Sequence, residues 1–299
     1  MLAPLLQPRS EFAVAELGGK MYVIGGYPPG RIPSNVIQVY DPATNSWALG
    51  PTAPNAVHHS TAMAVDGRLF LIGGELLGAG TGQAPQYINN VYELNLGSGT
   101  WLPRAPMPTG RSGGGAGVID GKIYVAGGRP PRGNDFAVYD PAADRWTVLP
   151  SLPTGRNHLG VDAIGGRLYV AGGRFDDVGS PMTTALEIFD PAANAWTGGA
   201  SMPTARAGVA AVAAFGCLYV IGGEGNMAHP QGMFAQNEAY DPRTNTWQSL
   251  TPMATPTHGL NRAVFLGGRI HLPGGAVTLG GNTGSTLHQV YQPERRCDQ

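Results

Sequence analysis

The sequence predicts an all-β propeller in which every blade is a four-stranded sheet. Three observations lead there. The stretch "GKIYVAGG" (Gly121–Gly128) recurs in closely related form from Gly19, Gly67, Gly166, Gly216 and Gly268. Its glycine pairs start at Gly25, Gly73, Gly127, Gly172, Gly222 and Gly274, so the spacings are 48, 54, 45, 50 and 52 residues. A second motif follows the first: "YDPATNSW" ends at Trp47, "YDPAADRW" at Trp146, "FDPAANAW" at Trp196 and "YDPRTNTW" at Trp247. A unit of this length cannot bury its apolar faces alone and does so by stacking on its neighbours.

The third unit shows each element most clearly. "RSGGGAGVI" from Arg111 is small and apolar, as a crowded inner strand requires. Asp120–Gly121 is a two-residue hairpin turn that needs positive φ. "KIYVAGG" is the second strand, alternating Ile123 and Val125 with Tyr124 and Ala126. The third strand ends in "VYDP" (Val138–Pro141), where Asp-Pro opens a turn into the outer strand "RWTVL". The glycine pair lets a neighbouring sheet or aromatic ring press against the backbone, and the Tyr and Trp fill the wedge between blades.

On this reading residues 1–299 form one domain, with blades near 5–50, 51–104, 105–150, 151–200, 201–251 and 252–299. Blade two degrades its outer motif to "LNLGSGTW", ending at Trp101. Blade six has Asp298 where the Trp belongs. Its outer strand is therefore expected to be missing, short, or made from "ERRCDQ" (Glu294–Gln299), with both termini available to close the ring.

Composition narrows the partners. With 19 basic and 20 acidic residues the chain lacks the basic excess that nucleic acid demands. No apolar run reaches the roughly 18 residues needed to span a bilayer. Cys217 and Cys297 do not make a disulfide framework, which favours a reducing, cytoplasmic setting unless a leader preceded residue 1. A monomer is expected.

The glycine pair after an apolar strand, the Tyr-Asp-Pro, the spaced Trp and links such as "MPTGR" (Met107–Arg111) together resemble the Kelch repeat, along the whole chain. The resemblance implies a six-bladed β-propeller. It also implies two routes to function, because members serve as protein-binding modules and some free-standing ones interconvert sugar-acid anomers. The Glu-x-x-x-Asp-x-x-x-His stretch of iron-binding members is absent.

Strands alternate direction, so the loop after each glycine pair and the link after each Trp emerge at one end. The long loops Glu75–Tyr87, Phe175–Thr184, Gly225–Gln236 and Ala276–Ser285 mark that end as the working face. The residue after each glycine pair reads Tyr27, Glu75, Arg129, Arg174, Glu224, Ala276. Sixteen residues before each pair stand Arg9, Val57, Arg111, Arg156, Arg206 and His258. Together they predict an arginine-rich mouth for an anionic ligand, either an acidic segment of a protein partner or a small sugar acid. Guanidinium forks match carboxylate oxygens two by two. Arg9, Arg111, Arg129, Arg156, Arg174, Arg206, Tyr27, His59 and His258 are the expected contacts. The opposing expectation is that these Arg groups bond neighbouring loops and that Glu75–Arg129 and Arg174–Glu224 pair across blades.

Catalysis is left open. Glu75, Glu224 and His158 are the acid–base candidates, with no cofactor needed. His59, His158 and His258 sit on alternate blades and offer a metal alternative. "GRSGG" (Gly110–Gly114) has the spacing of a nucleophile elbow, but Ser112 opens a strand and no helix follows.

Overall fold

In a computed structural model, the chain is described over residues 2–77, 80–130, 133–260 and 262–298. Six antiparallel sheets follow one another around an axis. Blade one uses strands Ala13–Leu17, Lys20–Ile24, Ile37–Asp41 and Ser46–Leu49, from inside to outside. Blades two to five repeat this order, starting from inner strands Thr61–Val65, Gly115–Ile119, Gly160–Ile164 and Ala210–Ala214. Blade six has three strands, Val264–Leu266, Arg269–Pro273 and His288–Tyr291. The described residues contain no helix.

Each second strand is sandwiched between two neighbouring blades. Ile123, Tyr124, Val125 and Ala126 are all buried, so the alternation seen in the sequence separates two covered faces. Apolar clusters fill each interblade wedge. Their outer ends are closed by aromatic pairs directly opposite across the third and outer strands. Tyr40 meets Trp47 at 5.2 Å, Tyr139 meets Trp146 at 5.1 Å, Phe189 meets Trp196 at 5.2 Å and Tyr240 meets Trp247 at 5.3 Å. Such pairs add about 0.5–1.5 kcal/mol each beyond burial. The indole N–H of each Trp donates to a carbonyl of the preceding link: Ala3, Ala105, Pro150 or Ala200. Blade two has Leu94 opposite Trp101, and the buried Trp101 Nε1 has no hydrogen-bond partner.

The last segment does not complete blade six. It crosses to blade five, where the Cys297 N–H donates to Phe215 O and the Tyr219 hydroxyl donates to Arg295 O. Cys297 is disulfide-bonded to Cys217, at the start of the second strand of blade five. The expectation that these two cysteines make no disulfide framework is thus corrected to one bond, because the tail returns to the hairpin end beside Cys217. The cysteine argument for a reducing compartment falls with it. No described helix is long and apolar enough to cross a membrane.

Candidate functional site

The glycine pairs are joints between blades. The second glycine of each pair donates its N–H to a carbonyl at the start of the next inner strand. Gly26, Gly74, Gly128, Gly173, Gly223 and Gly275 reach Val57, Arg111, Arg156, Arg206, Thr257 and Arg9 at 2.8–3.1 Å. A Cβ on the first glycine would sit 2.3 Å from the Val57 carbonyl at Gly25, and 2.5 Å from that of Thr257 at Gly222. Both positions have left-handed φ, so glycine is required twice over.

This ring corrects the alignment of blade six. His258 pairs with Ala276 as His58 pairs with Glu75, so Thr257, and not His258, is the counterpart of Arg206. From this point to its glycine pair blade six is one residue longer than blade five.

The arginines of that ring are hydrogen-bonded within the protein. Arg156 and Arg206 are fully buried and turn outward into their own blades. Arg156 donates to Glu187 and to the carbonyls of Thr154, Val170 and Gly172. Arg206 repeats this with Glu238, Thr204, Val220 and Gly222. Arg111 donates to the carbonyls of Gly127 and Asp135, and Arg9 to Pro8 O, Gln7 Oε1 and Ser34 Oγ. Each of these four clamps ties the start of its inner strand to its own blade or to the link before it.

Two residues beyond the clamps, the chain closes the axis. Glu11 N–H donates to Gly259 O, His59 to Glu11, Gly113 to His59, His158 to Gly113, Gly208 to His158 and Gly259 to Gly208, at 2.6–3.3 Å. All six residues of this backbone ring are left-handed. The side chains of Glu11, His59 and His158 lie buried at it, with His59 Nε2 3.1 Å from Glu11 Oε2. Burial, reinforced by the Arg174 charge, holds the His158 pKa well below the ordinary histidine value.

Above that ring the variable residues form a second buried layer. Arg129 Nη2 lies 3.0 Å from Glu75 Oε2, which also accepts from Ser112 Oγ at 3.1 Å. Arg174 is paired with Glu224, whose other oxygen accepts from Gly280 N–H at 2.9 Å. Tyr27 stacks on His58 at 4.2 Å, with its hydroxyl 2.9 Å from His58 Nε2. Burial pushes the His58 pKa down to about 2, and the neighbouring His59 adds to the shift. Both arginines of this layer, Arg129 and Arg174, are thus paired with acids inside it. Of the acid–base candidates, Glu224 lies within this layer at 1 % exposure and His158 in the ring below it at 2 %.

A depression opens to solvent beside the axis. It encloses about 610 Å³ and is bordered by Tyr27, Arg31, Glu75, Tyr87, Arg129 and Val178, among others. The Arg31 guanidinium stands 5.5 Å from the Tyr27 ring centre and has no acidic partner among the described residues. Arg129 also reaches Asp177, whose side chain is 87 % exposed.

Residues 3–152 and 102–275 match the KLHDC2/KLHL20/DRC7 Kelch-repeats domain. Kelch-like protein terF of Aspergillus terreus is 31 % identical over 95 % of this chain and 64 % of its own length. The chain belongs to the Kelch-repeat family. Kelch-like protein 35 of Mus musculus is 26 % identical over 50 % of the chain, which spans 24 % of that protein. The solved structure of YjhT superposes with a TM-score of 0.80 at 17 % identity, over 97 % of this chain and 96 % of that one, and so shares the fold.

In this Kelch propeller the structure brings Tyr27, Glu75 and Arg129 to the depression, and Arg174 and Glu224 to the layer beside it. Sequence reasoning missed Arg31, Tyr87, His58 and Glu11. Glu11 was within reach, since it follows Arg9 by two residues as His158 follows Arg156. Arg31 and Tyr87 lie in loops of unequal length, where no repeat register applies.

Proposed function

We propose that this propeller is a protein-binding module whose glycine-pair face takes a carboxylate-bearing segment of a partner. The observation that carries the reading is Arg31, a guanidinium without an acidic partner that shares one 610 Å³ depression with Arg129. A carboxylate there would meet the Arg31 fork beside the acid-paired Arg129, while Tyr27 and Tyr87 supply apolar walls. Large apolar side chains stand exposed on the surrounding loops, Ile32 at 59 %, Val178 at 43 % and Met227 at 83 %. An extended segment crossing the face would cover them, whereas a lone sugar acid would not. The buried, self-paired state of Glu224 and His158 weighs against acid–base turnover.

The test is a fluorescence-anisotropy screen of peptides rich in Asp and Glu against their Asn and Gln counterparts, with free sugar acids as competitors. The reading expects the acidic peptides to bind, the neutral ones to fail and the sugar acids to compete weakly. Strong binding of a free sugar acid with no peptide binding would overturn it.

A further inference from the structure

We infer that Glu11, His59 and His158 form a divalent transition-metal site on the propeller axis. Their ligating atoms all lie within 4.8 Å of one another, and all three residues are buried. Two imidazoles and a carboxylate are a donor set that zinc, iron(II) and cobalt(II) accept. Small side-chain rotations bring these atoms to bonds of about 2.0–2.2 Å.

The hydrogen bonds around the site present the correct nitrogens. His158 Nδ1 lies 2.6 Å from Asn157 Oδ1, an acceptor, so Nδ1 carries the proton and Nε2 keeps its lone pair. His58 Nε2 lies 3.0 Å from the Leu77 carbonyl and so carries a proton, which leaves His58 Nδ1 to accept from His59 Nδ1. In the neutral imidazole His59 Nε2 is then also a lone pair, and it faces the Glu11 carboxylate. Two lone pairs and a carboxylate meeting in a buried space repel one another, and a metal ion among them would offset this as fully as a proton on His59 would. This second shell is the kind that orients metal-bound histidines.

Charge points the same way. Among the carboxylates of this layer, Glu75 is paired with Arg129 and Glu224 with Arg174, but Glu11 has no Lys or Arg partner. A buried carboxylate without a compensating charge is costly. The backbone argues independently. All six axial positions are left-handed, and glycine serves at Gly113, Gly208 and Gly259. Placing Glu11, His59 and His158 in that conformation is unfavourable, and such residues concentrate where function holds them. A second cluster, His58–His59–Glu75, shares His59. Its Glu75 is already engaged by Arg129 and Ser112, whereas the ion-pair contacts of Glu11 are with histidines, His59 and His258.

The experiment uses the untagged full chain, incubated with excess Zn²⁺ or Co²⁺ and desalted. One ion per chain is expected by elemental analysis, with a Co²⁺ visible spectrum lacking thiolate charge transfer. Glu11→Gln and His158→Asn should each weaken retention roughly tenfold or more, while Glu75→Gln leaves it intact. Cu²⁺ electron paramagnetic resonance of the wild type should resolve two imidazole nitrogens, a result independent of whether any variant folds. Metal content below a tenth of an ion per chain (on the order of background), or unchanged retention in folded Glu11→Gln, would overturn the assignment.

Discussion

The N–H of Gly275, in blade six, donates to the carbonyl of Arg9, in blade one, at 2.8 Å. The same joint links every other pair of neighbouring blades, so the ring closes without exchanging a strand between its ends.

If the six joints are equivalent, damaging the closing one costs as much as damaging an internal one. A Cβ at Gly274 would sit 2.8 Å from Arg9 O, and one at Gly222 would sit 2.5 Å from Thr257 O, both at left-handed φ. Gly274→Ala and Gly222→Ala should each lower stability by about 2–4 kcal/mol in urea unfolding. A loss below roughly 0.5 kcal/mol at Gly274, typical of a neutral surface site, would show that closure rests elsewhere.

The clamps make a second prediction. Arg206→Met leaves the buried Glu238 carboxylate without its cation. The expected loss is about 3–5 kcal/mol, and the double variant Arg206→Met/Glu238→Leu should recover much of it. Denaturant midpoints of the two variants decide it, with no recovery counting against a buried-charge cost.

These clamps also show where the sequence stopped being legible. The repeat fixed the blades because a four-stranded unit writes its turns and its glycine joints locally. It did not show which way an arginine turns. A usable signal existed, since an acid stands two residues before the third-strand aromatic in the two blades where Arg meets Glu: Glu187 before Phe189 and Glu238 before Tyr240. In blade three that position is Ala137, and Arg111 turns to backbone carbonyls instead. The depression was out of reach because Arg31 and Tyr87 belong to loops without a shared register.

The seam between blades six and one should respond to pH. His288 packs edge-on to Tyr40 at 4.5 Å, and burial with His271 nearby pushes its pKa down to about 4. Its unfolded value is about 6.5. The unfolded chain therefore binds the proton first, and the stability this group contributes above pH 6.5 is lost as pH falls toward 4. The loss is on the order of 3 kcal/mol for this group. Melting curves across that window should fall more steeply for the wild type than for His288→Asn, and parallel curves would contradict the assignment.

The Cys217–Cys297 bond joins residues 80 apart in sequence. Cys297→Ser should destabilise the chain by about 2–4 kcal/mol. A reductant should lower the melting point of the wild type and leave the variant unchanged. Equal melting of oxidised and reduced wild type would mean that the tail contributes nothing to the fold.

The most direct test of the binding account is isothermal titration of the best acidic peptide into wild type and Arg31→Ala. Arg31 has no acidic partner among the described residues, so its removal should leave folding intact. The account predicts at least a tenfold weaker Kd in Arg31→Ala, since charge-assisted contacts contribute about 1.5–3 kcal/mol. Unchanged affinity would place the partner somewhere other than the Arg31–Arg129 depression.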